Sequence, residues 1–204
     1  MALPPAAPVT LTGDRVMLSA PTEADVDRVT ELCQEPAIAA WTTVPSPYAR
    51  VDAESFITGP VAEGWATGRS CTWAIRRRER DGQLVGMVGL DAIHDAGAEV
   101  GYWLAPGARG AGLMSEAVSL VLDFGFAAPP RGLGLVRVEW HAFAGNAASA
   151  SVARRAGFRF EGSSRLGGVQ RGRRRDDWQA GLLASDPRVP ADGWPADTLI
   201  QVAL

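Results

Sequence analysis

The amino-acid sequence predicts an α+β fold, a single domain in which helices pack on a mixed sheet. Three observations carry that expectation. Cys71–Arg77, Leu84–Ile93 and Glu99–Leu104 are successive apolar runs, separated by the turns Asp81-Gly82 and Asp95-Ala96-Gly97, which is the pattern of an antiparallel meander. The chain then passes through Pro106 and Gly107 into a glycine-rich turn and a helix-periodic segment. Beyond that segment come a strand, a second helix and two closing strands. The 204 residues fit one domain, long enough to bury a core.

In chain order, Arg15–Ser19 reads as a short strand. Thr22 is an N-cap with Asp25 three residues on, and Val26, Val29, Leu32 and Cys33 recur at helical spacing, so that helix packs one face on the sheet. Pro36 to Tyr48 holds Pro36, Pro45 and Pro47 around Trp41-Thr42-Thr43-Val44 and reads as apolar but irregular. A second helical stretch covers Asp52 to Trp65 before the meander begins. Leu113, Ala117, Leu120, Val121 and Phe124 mark an amphipathic helix of about three turns. Pro129-Pro130-Arg131-Gly132 breaks it, and Leu135–Ala142 supplies the next strand. Asn146 caps Ala147–Ala156, with Gly157 at the C′ position. Phe158–Leu166 and Asp177–Ala184 read as closing strands, joined by a hairpin at Gly167-Gly168 or beyond. The domain is expected over residues 1–185. Residues 186–204, with Pro187, Pro190, Pro195 and the apolar run Leu199–Val202, form an extension that adds an edge strand or docks on a neighbouring subunit.

Composition narrows the function. The mixture is 47% hydrophobic and 21% charged, ordinary for a soluble globular chain, and no run approaches the roughly 18 apolar residues of a membrane helix. Met1 to Val9 lacks the basic and apolar regions of a signal peptide, so a cytoplasmic protein is expected. Cys33 and Cys71 are too few for a disulfide framework or a zinc site, and read as small buried hydrophobes; no metal is expected. All 20 basic residues are arginine. A chain without lysine has neither a P-loop lysine nor Schiff-base chemistry. The net charge of −3 argues against nucleic-acid binding, and the clusters Arg76–Arg78 and Arg173–Arg175 read as solvated strand ends.

The informative unit runs from Glu99 to Gly162. A turn entering a helix leaves backbone N–H groups unpaired, and the helix dipole adds positive charge there. Gly110 and Gly112 allow an anion close to that backbone, and Arg109 adds a fixed charge. Taken alone, the turn fits a plain structural bend better than a phosphate site. A dinucleotide fingerprint fails on Ser115, where it needs glycine or alanine, and on the antiparallel context.

Glu99-Val-Gly-Tyr-Trp-Leu-Ala-Pro-Gly-Ala-Arg-Gly-Ala-Gly-Leu-Met-Ser-Glu-Ala117 resembles the CoA-binding motif of the GNAT acetyltransferases. The motif Gln/Arg-x-x-Gly-x-Gly/Ala falls on Arg109, Gly112 and Met114. Asn146-Ala-Ala-Ser149, Arg154-Arg155-Ala156-Gly157-Phe158 and Glu161-Gly162 are similar to the second motif of the RimJ/RimL-type branch. The resemblance implies a mostly antiparallel, V-splayed sheet with helices on both faces. It implies acetyl-CoA as co-substrate, passed between the strands at Glu99–Leu104 and Leu135–Ala142, and direct acetyl transfer to a primary amine on a protein N-terminus or a small molecule. On the same fold, a non-catalytic acyl-CoA-binding or sensory module is the alternative.

Under that resemblance the CoA-binding residues are Trp103, Leu104, Arg109, Gly110, Ala111, Gly112, Leu113, Met114, Asn146, Ser149, Arg154 and Arg155. Ser149 is similar to the family's thiolate-facing serine and is the expected general acid; local hydrogen bonding in the first helical turn is its other role. Glu99, which begins the strand lining the cleft, is the expected base, directly or through water; a solvated carboxylate paired with arginine is its rival. Trp41, Thr42, Thr43, Tyr48 and Trp73 are acceptor-pocket candidates, because irregular aromatic segments often line clefts. His94 and His141 lie off the motif positions. Two departures stand out. Met114 replaces a small residue, so its side chain must turn from the phosphate path, and Leu166-Gly167-Gly168-Val169 lacks the glutamate some members carry there. A homodimer is compatible with all of this.

Overall fold

The computed structural model describes residues 7–79 and 82–199. β1 (Leu11–Thr12), β2 (Val16–Ser19), β3 (Cys71–Arg77), β4 (Leu84–His94), β5 (Gly97–Leu104), β6 (Arg137–Phe143), β7 (Arg159–Gln170) and β8 (Arg173–Leu183) form one eight-stranded sheet in the order β1-β2-β3-β4-β5-β6-β8-β7. Every neighbouring pair is antiparallel except β5–β6, which is parallel. The expected α+β class and the meander β3–β4–β5 are therefore present. Asp81 of the expected turn lies outside the described residues.

The helices are α1 (Val26–Cys33), α2 (Pro36–Ala39), α3 (Arg50–Phe56), α4 (Ala62–Thr67), α5 (Leu113–Phe126) and α6 (Ala147–Ala156). Thr22 and Asp25 close the expected capping interaction, the Thr22 backbone N–H donating to the Asp25 carboxylate at 2.8 Å. α3 and α4 are joined by a wide-turn segment, Ile57–Val61, carrying Pro60, so the expected second helix is one continuous but irregular element ending at Gly68 (φ +68°). α1 packs on β4, α4 on β3, α5 on β2, β4 and β5, and α6 on β6. Gly125 lets α5 press close to Leu90, because a methyl group there would stand 3.3 Å from the Leu90 side chain. No described helix is long and apolar enough to cross a membrane.

The feature that positions the site is the short β5–β6 pairing. It runs from Gly97↔Arg137 to Val100↔Trp140 and stops there, while β5 continues to Leu104 and β6 to Phe143. Beyond Val100 the strands part, and the sheet opens into a V.

Several sequence expectations need correction. The closing hairpin turns beyond Gly167-Gly168, the second of the two expected places: both glycines lie inside β7, and the turn falls at Arg171-Gly172, each with positive φ. The glycines at 167 and 168 serve close packing: a methyl group on Gly168 would stand 2.8 Å from the Phe143 ring. The central helix α5 has 14 residues, about one turn more than its apolar spacing indicated. The Pro36–Tyr48 segment contains the single helical turn α2.

The extension adds no strand within its described part. Trp194 is buried against Trp140 (ring centroids 5.5 Å) and Phe160 (5.4 Å), and its indole N–H donates to the Phe158 carbonyl at 3.0 Å. Cys33 and Cys71 are free and buried, and burial pushes their thiols up to about 11 and about 12.

Candidate active site

The parted strands enclose a cavity of about 540 Å³. Strand alternation gives it two differently built sides. Val100 pairs with Trp140, so Val100, Tyr102 and Trp140 share one face of the sheet. Asp91 pairs with Glu99 and Glu99 with Glu139, so these carboxylates and His141 share the other.

On the first face stands the N-terminus of α6. The Asn146 side-chain oxygen accepts from the Ser149 backbone N–H at 3.2 Å, which caps the helix and fixes its first turn. The Trp140 indole N–H donates to Ser149 Oγ at 3.0 Å. Indole nitrogen is donor-only, so Ser149 must accept here, and its own hydroxyl proton stays free to be donated. The Tyr102 hydroxyl donates to the Ser149 carbonyl at 2.9 Å, and burial raises its pKa above the usual phenol range, keeping it a neutral donor.

At the mouth of this side the glycine turn enters α5. Gly110 (φ +79°) and Gly112 (φ +73°) both adopt the left-handed region, which glycine alone adopts at little cost. Arg109 Nε donates to the Leu104 carbonyl at 3.1 Å and so ties the turn to the end of β5. Arg15 lies against the turn. It donates to the Ala111 carbonyl at 2.8 Å and pairs with Glu116 at 2.7 Å, a second cation that its position in the sequence did not suggest. Arg15, Arg77, Glu79, Ala111 and Leu113 line a second, smaller cavity of about 150 Å³.

On the second face the cross-strand pair Gly89↔Gly101 leaves a bare floor, with Met87↔Trp103 on one side of it and Asp91↔Glu99 on the other. Asp91, Glu99, His141 and Asp177 line the cavity together with the Tyr102 phenol; among the described residues no arginine lines it. Burial raises the pKa of Glu99, and the neighbouring carboxylates Asp91, Asp177 and Glu139 add to that shift, while His141 opposes it. Burial likewise raises Asp91. His141 Nδ1 meets Asp177 Oδ2 at 2.9 Å, and that hydrogen bond holds the imidazole pKa above its ordinary value. Trp41, Thr42, Thr43 and Val44 form the opposite wall. The hairpin tip of β7 and β8 clamps that wall, because Gln170 donates to the Ala39, Ala40 and Thr42 carbonyls and Arg171 to Thr42 and Val44.

Residues 15–159 match the family model described as an acetyltransferase (GNAT) domain. The chain belongs to the GNAT acetyltransferase family. Its GNAT relatives include the uncharacterized N-acetyltransferase YoaA of Bacillus subtilis (strain 168), 35% identical over 96 residues, which cover 46% of this chain and 51% of that protein. The chain thus spans about half the length of the curated relatives it matches. Among solved structures, Mycobacterium smegmatis RimJ in complex with CoA-disulfide superposes with a TM-score of 0.79 at 23% identity, covering 90% of each chain. RimL, the ribosomal L7/L12 alpha-N-protein acetyltransferase in complex with coenzyme A, gives 0.75 at 19% identity, covering 86% of this chain and 98% of that one. These superpositions show a shared fold.

Within this GNAT fold the expected residues divide. Glu99, Trp103, Asn146, Ser149, Trp41, Thr42 and Thr43 line the one cavity. Met114 is buried in the core, so its side chain does turn away from the glycine turn. Arg155 is exposed and donates to Ser151 Oγ at 2.7 Å, whereas the buried Nε of Arg154 has no hydrogen-bond partner among the described residues.

Two acceptor candidates fall elsewhere. Trp73 is fully buried between Trp65 and Phe124, its indole donating to the Val9 carbonyl at 2.6 Å, and Tyr48 is buried beside Cys33. Both are core residues, because an aromatic next to an irregular segment packs inward as readily as it lines a cleft. His94 is exposed and away from the cavity. The sequence reading missed Asp91, Tyr102, Trp140 and Asp177 and set His141 aside. The alternation Glu139, His141, Phe143 within β6 was the available signal for the last.

Proposed function

We propose that this chain is an acetyl-CoA-dependent N-acetyltransferase that moves the acetyl group directly to a primary amine. The observation that carries the reading is one cavity spanning a splayed strand pair, with the Ser149 hydroxyl on one face and Glu99 on the other. Family membership and the coenzyme A bound in RimJ and RimL support the donor. The local chemistry fits coenzyme A. Gly110 to Met114 offer backbone N–H groups at a helix N-terminus whose glycines leave room for a pyrophosphate, and the Arg154 Nε, unpartnered among the described residues, suits a further phosphate.

The chain's residues then divide the work. Asn146 holds the first turn of α6, and Ser149, its oxygen already occupied by Trp140, gives a proton to the departing thiolate. Glu99, on the other face of the cavity, attracts the acceptor ammonium. Trp41, Thr42 and Thr43 bound the acceptor space. Much of the acceleration comes from holding amine and thioester in line. The acceptor is a protein N-terminus, as the name of RimL states for that enzyme, or a small-molecule amine. The ribosomal acceptor of that relative supports a cytoplasmic location.

Release of free CoA from acetyl-CoA, measured against a panel of peptides, aminoglycosides and polyamines, tests the reading. An amine-dependent release is expected. Stabilisation by acetyl-CoA with no release for any amine would leave a binding module in its place.

A further inference from the structure

The carboxylate of Asp177 is buried at the edge of the cavity. Its side chain is 10% exposed, and among the described residues its one side-chain hydrogen bond is to His141 Nδ1 at 2.9 Å. Among the described residues no arginine pairs with it. A carboxylate only accepts, so Nδ1 carries the proton and the neutral ring keeps its lone pair on Nε2. Nε2 lies 3.9 Å from Glu139 Oε2, beyond hydrogen-bonding range, and the ring lines the cavity with about a third of its surface open. The imidazole therefore has a fixed tautomer, a fixed orientation and a free acceptor atom turned to the acceptor side.

We propose that His141, oriented by Asp177, is the general base that receives the proton of the acceptor ammonium. The proposal rests on the acetyltransferase reading above and names a residue for its proton step. Glu99 from β5 and Asp91 from β4 draw the ammonium in; Glu139 from β6, Asp177 from β8 and, from β7, Glu161 in its pair with Arg137 complete the charges around the ring.

The balance is complete with groups present. One N–H proton passes from R–NH₃⁺ to Nε2 and on to solvent. The freed lone pair attacks the thioester carbonyl carbon, the C–N bond forms, and the C–S bond breaks. The nitrogen sheds a second proton as the amide forms, and an equal proton reaches the thiolate through Ser149 Oγ. Carboxylate attraction alone would leave the ammonium protonated and unreactive, whereas an imidazole titrates in the range where a base must work. Asp177 keeps its midpoint above the ordinary histidine value.

The test compares wild type, His141→Gln, Asp177→Asn and Glu99→Gln by kcat/KM for the acceptor amine across the range where histidine titrates. His141→Gln is expected to lower it by about 10²-fold, to erase the rise with pH assigned to the imidazole, and to leave KM for acetyl-CoA unchanged. Asp177→Asn should move that rise to lower pH, since the bond that holds the imidazole pKa up is lost. His141→Ala should regain rate with added imidazole, which a packing role would not permit. A His141→Gln enzyme that keeps both rate and rise overturns the proposal, as does loss of the rise in Glu99→Gln alone. A wild type that releases no CoA with any amine sinks the acetyltransferase reading instead. If the variants unfold, NMR titration of His141 in the wild type decides, because its midpoint must coincide with the rise in kcat/KM.

Discussion

The two sides of the cavity are built by different means. The side proposed for the donor comes from two contiguous stretches, Arg109–Met114 and Asn146–Ser149, and is built of backbone N–H groups, left-handed glycines and a helix cap. The side proposed for the acceptor draws Trp41–Val44, Asp91, Glu99, His141 and Asp177 from separate elements and is built of side chains. A thioester with an invariant phosphate handle suits a fixed backbone cradle, whereas a variable amine needs a wall that side chains can redraw. On the proposed reading, local geometry holds the donor and long-range assembly shapes the acceptor space.

Substitutions should separate the two sides. The largest effect is expected behind the donor side, where Trp194 backs Trp140. Trp194→Ala should cost about 3 to 5 kcal/mol in thermal or denaturant unfolding. A near-neutral result would mean that the segment after Asp186 is dispensable to the core. Next comes Ser149→Ala, which should lower kcat by about 10²-fold, or about 2.7 kcal/mol, with acetyl-CoA affinity unchanged in calorimetry. If affinity falls and kcat holds, Ser149 serves binding only.

A smaller effect is expected at Gly112. Its φ of +73° and the Arg15 guanidinium 3.0 Å from an added methyl group make Gly112→Ala strained. The cost is about 1 to 2 kcal/mol, read as a weaker acetyl-CoA KM with the amine KM unmoved. The smallest is Asp91→Asn, expected to raise the KM of a cationic amine by on the order of threefold, under about 1 kcal/mol, while the acetyl-CoA KM stays put. A reversed pattern, with Asp91 altering the donor and Gly112 the acceptor, would break the division of labour.

The same division explains what could be read from the sequence. Gly110, Gly112, Asn146 and Gly157 announce themselves locally, because turn and cap chemistry is a matter of a few adjacent residues. The meander was legible from its turns, and Glu99 from its place at a strand start. The His141–Asp177 bond was not, since it depends on β6 and β8 being neighbours with His141 opposite Gln179. Trp73 misled for the complementary reason: its neighbours in sequence say nothing of Trp65 and Phe124, which enclose it. Gly167-Gly168 looked like a turn because glycine signals both positive φ and close approach, and only the nearby Phe143 ring tells which.

The ion pairs of this molecule are made with guanidinium: Arg15 with Glu116, Arg76 with Asp25, Arg137 with Glu161. Guanidinium stays protonated at any pH the fold would meet, so it offers an activated acyl group no lone pair. Across these 204 residues there is no side-chain amine at all. A protein proposed to hold a thioester beside its own surface thereby presents no side-chain amine for it to acylate, and no side-chain ammonium charge to lose.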